Sequence, residues 1–346
     1  MSATPPPPAS SSPAKPATPA EQLIAMASGA WVTQMIHVAA ELGLADRLAA
    51  GEREVGDLAG ECGADPDSLF RLLRGLASLG VFEETAPRRF SITPMADLLR
   101  GDHPGSLRQF ARMVGEEHYQ GWDDLLHCVR TGESAFRHQH GCTVFEWYRR
   151  HPVRAAIFDG AMADFSRHET EALLAAYDFS PLRHLVDVGG GRGELLRRVL
   201  QAHDHLHGTL FDQPEVVANA EVPAELEGRL SVSGGDFFAD IPVGGDAYLL
   251  KHIVHDWGDE ACLRLLERIR SAMAPGARLL LLEQVIPPGN APFPGKLLDL
   301  NMLVMSEGGR ERTPGEYANL LSRAGLNLQR ILPTPSPVSV VEAVAE

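Results

Sequence analysis

Residues 185–194 read LVDVGGGRGE, an apolar run that leads directly into a turn with four glycines. Glycine lets the backbone pass close to a ligand, and the helix predicted to follow presents unpaired N–H groups and a positive dipole end. Further along the chain, strand-like and helix-like segments alternate, beginning with strands at 184–188 and 208–212. This alternation predicts an α/β domain over residues 181–346, in which a parallel sheet is covered on both faces.

The spacing of the glycines separates two kinds of nucleotide cofactor. A dinucleotide-binding turn has the order G-x-G-x-x-G, whereas here Gly189, Gly191 and Gly193 alternate. Glu194 takes the last place of the pattern, and a carboxylate at the start of that helix would repel a pyrophosphate. The methionine part of S-adenosylmethionine carries one carboxylate and one ammonium group, so the turn favours that cofactor.

Acidic and aromatic residues follow the next two predicted strands. Asp212 ends the second strand, 19 positions after Gly193, where a carboxylate accepts hydrogen bonds from both ribose hydroxyls. Asp236 and Phe237 follow the third strand, where an acid accepts from the adenine amino group and an aromatic ring stacks on the base. Asp212 alone suits NAD as well as S-adenosylmethionine, but the three features in strand order predict an adenosyl cofactor.

Residues 21–104 show the pattern of a second, mostly helical domain. Apolar residues repeat at helical spacing up to Gly43, a short helix follows, and residues 65–68 (DPDS) supply cap-forming residues for a third helix. Two short strands around the turn at 86–87 complete a winged-helix pattern. Such domains often bind DNA, but residues 21–115 contain nine Arg, no Lys and thirteen Asp or Glu, which disfavours that role. We therefore expect a dimerisation or packing module.

The overall charge and the cysteine pattern exclude several other classes of function. A formal net charge of −15 repels nucleic acids and anionic membrane surfaces. No run of about 18 apolar residues is present, and residues 1–20, rich in Pro, Ala and Ser, predict a disordered tail rather than a signal peptide. The four cysteines are scattered and indicate free thiols, so we expect a cytoplasmic protein without nucleic-acid or membrane partners.

No metal site is predicted from the sequence. The cysteines lack the spacing of a zinc site, and the stretch HDHLH at 203–207 is expected in a solvated loop between a helix and the second strand. The chemistry inferred below requires no metal.

Residues 105–180 predict further helices, whose aromatic and Met side chains are candidate walls for an apolar ligand. Most of these side chains are expected in the core, but as a group they directly precede the cofactor domain. A second apolar helix stands before the segment GGRERT at 308–313, and soft Met side chains suit a flat ring. The candidate substrate-binding residues are Trp122, Phe158, Met162, Phe165, Asn301, Met302 and Met305.

The segment that indicates the reaction is DAYLLKHIVHDW at residues 246–257. Together with VDVGGGRG, FDQPEV, GDFF, LLLLEQVIP and GGRERT in their order along the chain, it strongly resembles the small-molecule O-methyltransferase family of plant phenolic and bacterial antibiotic pathways. The resemblance covers residues 20–345. It implies a Rossmann-like class I methyltransferase domain, an N-terminal winged-helix-like dimerisation domain, a homodimer, S-adenosyl-L-methionine as cofactor and a small-molecule acceptor.

The resemblance also implies roles for individual residues. The histidine of the HDW segment corresponds to the general base, which is His255, with Asp256 beside it. Glu283 in LLLLEQV and Glu311 in GGRERT correspond to the acids that hold this histidine. The residues that correspond to the cofactor site are Gly189, Asp212, Asp236, Phe237 and Lys251, with Asp187 supporting the glycine turn that includes Gly191.

Methyl transfer from a sulfonium to a phenol gives a physical reason for this histidine. A phenol has a pKa of about 10 and is mostly protonated at neutral pH, so a base must take its proton as the new bond forms. Histidine, with an ordinary pKa near 6.5, is expected to be largely neutral at pH 7 and able to do this. His252, three positions earlier on a predicted strand, is expected in the core or at the surface.

Three alternatives share some of these motifs. Some bacterial relatives of these enzymes keep S-adenosylmethionine but perform hydroxylation, decarboxylation or pericyclic reactions, and the cofactor motifs do not separate them. Transfer to the sulfur of a small thiol is a second alternative. A cofactor-sensing regulator that binds DNA is the third, which the negative charge of the winged-helix domain disfavours. The presence of His255, Glu283 and Glu311 at matching positions favours methyl transfer to a hydroxyl.

Overall fold

The structure, a computed structural model, describes residues 17–218 and 220–345. The chain divides into two compact units between Ala96 and Asp97, close to the predicted boundary after residue 104. Residues 105–180, predicted as a separate helical region, belong to the second unit.

The first unit contains helices and a small sheet, as the winged-helix pattern predicts. Its strands β1 (Arg53–Glu54), β2 (Phe82–Ala86) and β3 (Arg89–Ile92) are antiparallel in the order β1-β3-β2. The predicted cap is present, because the Asp65 side chain accepts a hydrogen bond from the Ser68 N–H at 2.8 Å. The helices are α1 (Pro19–Ala27), α2 (Gly29–Glu41), α3 (Leu44–Leu48), α4 (Val55–Cys62), α5 (Pro66–Ser78) and α6 (Pro94–Asp97).

Two expectations for the N-terminal part need correction. The predicted tail at 1–20 ends earlier, because Thr18 and Glu21 form a capping box that starts α1; residues 1–16 lie outside the described residues. The apolar helix predicted up to Gly43 is interrupted at Ser28, whose hydroxyl donates to the Ile24 carbonyl at 2.8 Å.

No single helix among the described residues is long and apolar enough to cross a membrane. Helices α1 and α2, which are bent by 41° relative to each other, reach that length and hydropathy only when they are taken together.

The helices of the second unit differ widely in length. The longest, α12, has 25 residues, and a π-helix at Val114–His118 joins α7 to α8, a form that occurs frequently at functional sites. The helices are α7 (Arg108–Met113), α8 (Tyr119–Trp122), α9 (Leu125–Thr131), α10 (Ala135–His140), α11 (Val144–Arg150), α12 (Pro152–Ala176), α13 (Glu194–Ala202), α14 (Pro214–Val217), α15 (Asp259–Ala272), α16 (Gly295–Met305) and α17 (Pro314–Arg323).

A seven-stranded sheet forms the centre of the second unit, in the order β6-β5-β4-β7-β8-β10-β9. The strands from β6 to β8 in this order are parallel, whereas β10 is antiparallel to both of its neighbours. Both faces of the sheet are buried, as Val186 and Leu185 show, which belong to different core clusters. The strands are β4 (His184–Val188), β5 (His207–Asp212), β6 (Leu230–Gly234), β7 (Ala247–Lys251), β8 (Arg278–Glu283), β9 (Leu326–Pro333) and β10 (Ser339–Ala345).

The order of the strands places a crevice between β4 and β7. The chain winds outward from β4 through β5 and β6 on one side, and then through β7 and β8 on the other. Open α/β sheets bind ligands at such a reversal, beside the carboxyl ends of the strands. The glycine turn follows β4 and the segment with His255 follows β7, so the topology brings both to the same crevice.

Candidate active site

The glycine turn after β4 is shaped by left-handed backbone conformations and close packing. Gly189 and Gly191 have φ values of 73° and 60°. A Cβ atom on Gly190 would lie 2.6 Å from both Asp187 Oδ2 and Leu210 Cδ1. A Cβ atom on Gly191 would meet no atom within 4 Å. The turn is therefore tightly packed against the sheet but uncovered at Gly191, where a ligand has room to approach the backbone.

Two aspartates flank this turn. Asp187 is buried in β4, and its Oδ2 atom has no hydrogen-bond partner among the described residues. Burial raises the pKa of Asp187 to about 7 against the opposing charge of Lys251. Asp212, at the end of β5, accepts from the Gly191 N–H at 2.8 Å and the Gln213 N–H at 2.7 Å, while burial raises its pKa. Each carboxylate oxygen of Asp212 keeps a second lone pair for a further hydrogen bond.

Asp236 and Phe237 lie beyond β6. Asp236 is exposed, and its Oδ1 atom accepts from the Phe238 N–H at 2.9 Å. Phe237 is half-buried, and its ring meets the Trp257 ring edge to face at a centroid distance of 6.2 Å. Both side chains are ordered by neighbours and remain partly open to a planar ligand.

These residues fit the S-adenosylmethionine that the sequence predicts. The unpaired buried oxygen of Asp187 suits an ammonium group, and the open space at Gly191 lets a ligand approach the main chain of the turn. The remaining lone pairs of the Asp212 carboxylate suit hydrogen bonds from ribose hydroxyls. The carboxylates around the turn would repel the pyrophosphate of a dinucleotide, so the donor set favours S-adenosylmethionine.

His255 lies in a 3-10 turn, Val254–Asp256, that follows β7. Its Nδ1 atom is 2.7 Å from Glu311 Oε1 and 3.6 Å from Glu283 Oε2. Its Nε2 atom is 3.6 Å from Asp256 Oδ1, beyond hydrogen-bond distance. Because the Glu311 carboxylate accepts, Nδ1 donates, which leaves the lone pair of a neutral imidazole on Nε2.

The surrounding carboxylates decide the protonation of His255. Burial lowers its pKa, but the charges of Glu283 and Asp256 and the hydrogen bond to Glu311 outweigh burial and raise the pKa to about 10. Burial also raises the pKa of Glu283 and of Asp256. The expectation of a largely neutral imidazole at pH 7 is therefore wrong, because the cluster retains a proton on its most basic member.

Main-chain hydrogen bonds hold the two glutamates beside His255. Glu283 ends β8, is fully buried, and accepts from the Val254 N–H at 2.9 Å through Oε1. The Glu311 N–H donates to Asp299 Oδ1 at 2.9 Å. Arg312, also fully buried, donates to the Val254 carbonyl at 2.9 Å and so ties this segment to the turn with His255. The sequence analysis did not identify Arg312, although its position next to Glu311 in the chain could have indicated a role at this site.

Glu169 of α12 contacts Lys251 and His252, close to His255, and the sequence analysis did not identify it. Its carboxylate accepts from Lys251 Nζ at 2.9 Å and lies 2.8 Å from His252 Nε2. Burial acts to raise its pKa, but the charges of His252 and Lys251 outweigh burial and lower the pKa to about 2. No local pattern distinguishes Glu169 within its helix, since its partners lie 82 and 83 positions further along the chain.

His252 lies beside His255, contrary to the expectation of a core or surface position. The two rings stack with centroids 5.0 Å apart and an interplanar angle of 28°. Strand β7 ends at Lys251, and His252 has a φ of 53°, so the alternation of side chains along a strand no longer applies. A positive φ at a residue other than glycine is costly and concentrates at functional sites.

Part of the predicted substrate wall comes together around Asn301 of α16. Asn301 Oδ1 accepts from Trp122 Nε1 at 3.1 Å and lies 3.3 Å from His118 Nδ1. His118 ends the π-helix, and burial lowers its pKa, which favours the neutral ring. His118 was not predicted, and its signal is structural, because the π-helix turns it toward Asn301.

The other predicted wall residues lie in two kinds of surroundings. Met302 and Met305 are buried, and Phe158 packs partly buried against the core cluster that contains Met305. Met162 and Phe165, on α12, are each 37% exposed. Contact of these five side chains with an acceptor stays a prediction.

Comparisons with known proteins find relatives over both units. Residues 24–102 match the model of an O-methyltransferase dimerisation domain, and residues 122–327 match that of an O-methyltransferase domain. The phenazine O-methyltransferase PhzM of Lysobacter antibioticus is 43% identical over 324 residues, 93% of this chain and 95% of that protein. The 8-amino-8-demethylriboflavin N,N-dimethyltransferase of Streptomyces davaonensis is 39% identical over 319 residues, 90% of this chain and 91% of that protein.

A solved structure similar to the chain contains two bound small molecules. It is the O-methyltransferase NcsB1 from neocarzinostatin biosynthesis, in complex with S-adenosylmethionine and 2-hydroxy-5-methyl naphthoic acid. The match has a TM-score of 0.80 and 34% sequence identity, and it covers 91% of this chain and 96% of that one.

Proposed function

Since the chain belongs to the S-adenosylmethionine-dependent O-methyltransferase family, we propose that it methylates a hydroxyl of a small aromatic molecule with His255 as the general base. The observation that carries this proposal is the geometry of His255, whose Nδ1 is bound to Glu311 at 2.7 Å while no carboxylate in the described part of the chain hydrogen-bonds Nε2. A histidine held in this way keeps one tautomer and accepts a proton at the other nitrogen.

In the proposed reaction, the acceptor hydroxyl gives its proton to Nε2 of His255. The raised pKa of His255, about 10, is close to the pKa of about 10 of a phenol, and such matching favours proton transfer in the transition state. Glu283, Asp256 and Glu311 stabilise the imidazolium that forms. The deprotonated oxygen is a far better nucleophile than the hydroxyl.

The residues proposed to hold the cofactor lie at the carboxyl ends of β4, β5 and β6. Asp187 and the glycine turn would hold the amino-acid part, Asp212 the ribose, and Asp236 with Phe237 the adenine. Lys251, ion-paired with Glu169, stays a predicted cofactor contact. When bound, S-adenosylmethionine supplies a methyl group on a positively charged sulfur.

We propose a planar hydroxyaromatic acceptor. Trp122, His118 and Asn301 combine aromatic surface with a few hydrogen-bonding groups, as small-molecule pockets typically do. The relatives named for phenazine and naphthoic acid support this class. A nitrogen acceptor is the second candidate, because one relative is named as an N,N-dimethyltransferase.

We further propose a homodimer located in the cytoplasm. The match to a dimerisation domain supports the dimer, as do exposed apolar side chains on α1 and α2, among them Leu23 and Trp31. All four cysteines carry free thiols, which supports a reducing compartment.

Two substitutions separate the proposed catalytic and binding roles. His255→Ala is expected to lower kcat at least about a hundredfold with little change in affinity for S-adenosylhomocysteine, since a general base contributes roughly 10²- to 10⁴-fold. Asp212→Ala is expected to lower the affinity for S-adenosylhomocysteine with little change in kcat. The measurements are a labelled-methyl assay with a panel of hydroxyaromatics and a calorimetric titration with S-adenosylhomocysteine. Equal losses of binding in both variants would refute these roles.

Analysis of the product tests the reaction class independently. Mass spectrometry should show a gain of one methylene unit per acceptor, and the methyl carbon shift in an NMR spectrum identifies the acceptor atom. A product with added oxygen, or one that has lost carbon dioxide, would contradict the assignment of methyl transfer.

A further inference from the structure

Asn301 of α16 fixes the hydrogen-bonding state of His118. The indole nitrogen of Trp122 can only donate, so the atom of the Asn301 amide that it meets at 3.1 Å is the oxygen. His118 Nδ1 lies 3.3 Å from that same oxygen. Because a carbonyl oxygen only accepts, Nδ1 of His118 carries a hydrogen and donates it. The amide therefore selects one of the two tautomers of a neutral His118.

The surroundings of His118 keep its ring neutral. Its side chain is buried, and burial lowers its pKa although the nearby Glu117 carboxylate acts in the opposite direction. Other donors occupy Glu117, since its Oε1 atom accepts from the Tyr148 hydroxyl at 2.9 Å and its Oε2 atom accepts from Arg154 Nε at 3.0 Å. A neutral imidazole with its hydrogen on Nδ1 has a bare lone pair on Nε2, so His118 accepts hydrogen bonds there.

Nε2 of His118 has no hydrogen-bond donor of its own in the part of the chain that the structure describes, where the side chain bonds only through Nδ1. His118 is 8% exposed, so more than nine tenths of it is withdrawn from bulk solvent. Buried polar groups in folded proteins nearly always have a partner in the protein, in ordered water or in a ligand. The atom is therefore suited to a donor that arrives with a bound molecule.

Helix α16 connects His118 to the proposed catalytic base. Asp299 lies two positions before Asn301 on this helix, and its Oδ1 atom accepts from the Glu311 N–H at 2.9 Å. Glu311 in turn accepts from Nδ1 of His255 at 2.7 Å. One short helix thus supports both the residue that orients His118 and the residue that orients His255, so a single small molecule at the predicted substrate wall can reach both histidines.

We propose that the methyl acceptor carries a second O–H or N–H group, which donates a hydrogen bond to Nε2 of His118 while the hydroxyl to be methylated lies at His255. This inference rests on the proposed methyl transfer to an aromatic hydroxyl and narrows its substrate class to aromatic diols and amino-substituted hydroxyaromatics. A molecule that brings only a lone pair or a carboxylate to Nε2 leaves two hydrogen-bond acceptors facing each other in a buried site, which disfavours its binding. His118 is a specificity-determining residue and moves no proton.

Matched pairs of probes test the proposal. Each pair consists of one positional isomer of naphthalenediol and the fluoronaphthol in which fluorine, similar in size but without a hydrogen to donate, replaces one hydroxyl. Calorimetric titration of the full-length protein saturated with S-adenosylhomocysteine gives the Kd of each probe, and a labelled-methyl assay gives kcat/KM. At least one diol should bind roughly 5- to 150-fold more tightly than its fluoronaphthol, as expected when a buried acceptor otherwise lacks its donor. The statistical factor of a symmetrical diol, which can bind in two orientations, is divided out.

Two variants of His118 separate hydrogen bonding from shape. His118→Gln keeps both functions of the ring, because the Gln amide nitrogen can donate to Asn301 while the amide oxygen accepts from the ligand. His118→Phe keeps an aromatic ring and has neither function. The preference for a diol over its fluoronaphthol should persist in His118→Gln and disappear in His118→Phe. Since both probes are compared on the same variant, a smaller folded fraction affects both alike.

His207→Phe is the control, because it replaces an exposed histidine at the start of β5 and should keep the wild-type preference. A wild type that binds no diol more tightly than its fluoronaphthol would overturn the proposal. So would a His118→Phe variant that keeps the preference, or a His118→Gln variant that loses it as completely as His118→Phe. The titration does not depend on turnover. Preferred diols that bind but are never methylated would refute the proposed reaction and leave this inference standing, whereas diols and fluoronaphthols that bind and are methylated alike would refute this inference alone.

Discussion

His255 draws its basicity from acids in three different segments of the chain. Asp256 is its neighbour in sequence, Glu283 ends β8 and Glu311 follows α16. These acids outweigh the effect of burial and raise the pKa of His255 to about 10, so the imidazole is mostly protonated at pH 7. Only the neutral form accepts a proton. The rate of the proposed reaction should therefore rise with pH until it passes this pKa.

Replacing Glu311 by Gln is expected to move this pH dependence to lower pH. The substitution removes one carboxylate charge beside Nδ1 of His255, and a nearby opposite charge of this kind raises a pKa by roughly 1–3 pH units. The acidic limb of kcat/KM plotted against pH should shift downward by at least about one pH unit. The measurement is a pH profile of kcat/KM with one acceptor, from about pH 6 to about pH 10.

Glu307→Gln is the matched control for this profile. Glu307 is exposed and pairs with Arg137 at the surface, so its loss should leave the acidic limb in place. A limb that stays fixed or moves upward in Glu311→Gln would show that Glu311 does not set the protonation of His255.

At the scale of secondary-structure elements, a single carboxylate connects α12 to the end of β7. Glu169 is 9% exposed in its side chain and bonds both Lys251 and His252. Glu169→Gln leaves the Lys251 ammonium without its counter-charge, and we expect a loss of about 2–4 kcal/mol in the free energy of unfolding. Urea denaturation monitored by circular dichroism measures this loss.

Glu171, two residues further along α12, provides the comparison. Its side chain is 62% exposed and pairs with Arg198 at the surface, so Glu171→Gln should cost less than about 1 kcal/mol. Equal effects of the two substitutions would show that the buried link contributes nothing beyond an ordinary surface ion pair.

At the scale of the whole molecule, the proposed dimer accounts for apolar side chains that one chain leaves exposed. Trp31 of α2 is 73% exposed, and Leu23, Ile24 and Met26 of α1 are similarly uncovered. Trp31→Asp would bury a charge in the interface, and we expect the variant to be largely monomeric. Analytical ultracentrifugation or light scattering measures the change in mass.

Val243→Asp is the control for this substitution. Val243 lies in the second unit and is 76% exposed, so the same kind of change should leave the dimer intact. A Trp31→Asp variant that remains dimeric at low micromolar concentration would place the interface elsewhere.

The sequence by itself determined the class of fold, the family and the cofactor. Strand and helix periods are local properties of the chain, so the strands at 184–188 and 207–212 were predictable to within a residue. The glycine turn and the HDW segment are short and contiguous, and each carries its chemistry within a few positions. The family assignment that these segments predict is confirmed by the match over residues 122–327.

Only the tertiary structure decided how the side chains around His255 meet. The sequence pointed to Glu283 and Glu311 by resemblance, but the protonation of His255 depends on burial and on distances between segments 28 and 56 positions apart. The place of His252 follows from a positive φ after β7, which no strand pattern encodes. Glu169 and His118 gave no local signal, since each acts through a partner more than 80 positions away. Periodicity specifies elements, whereas contacts and pKa values arise from packing, which desolvates charges and brings distant segments together.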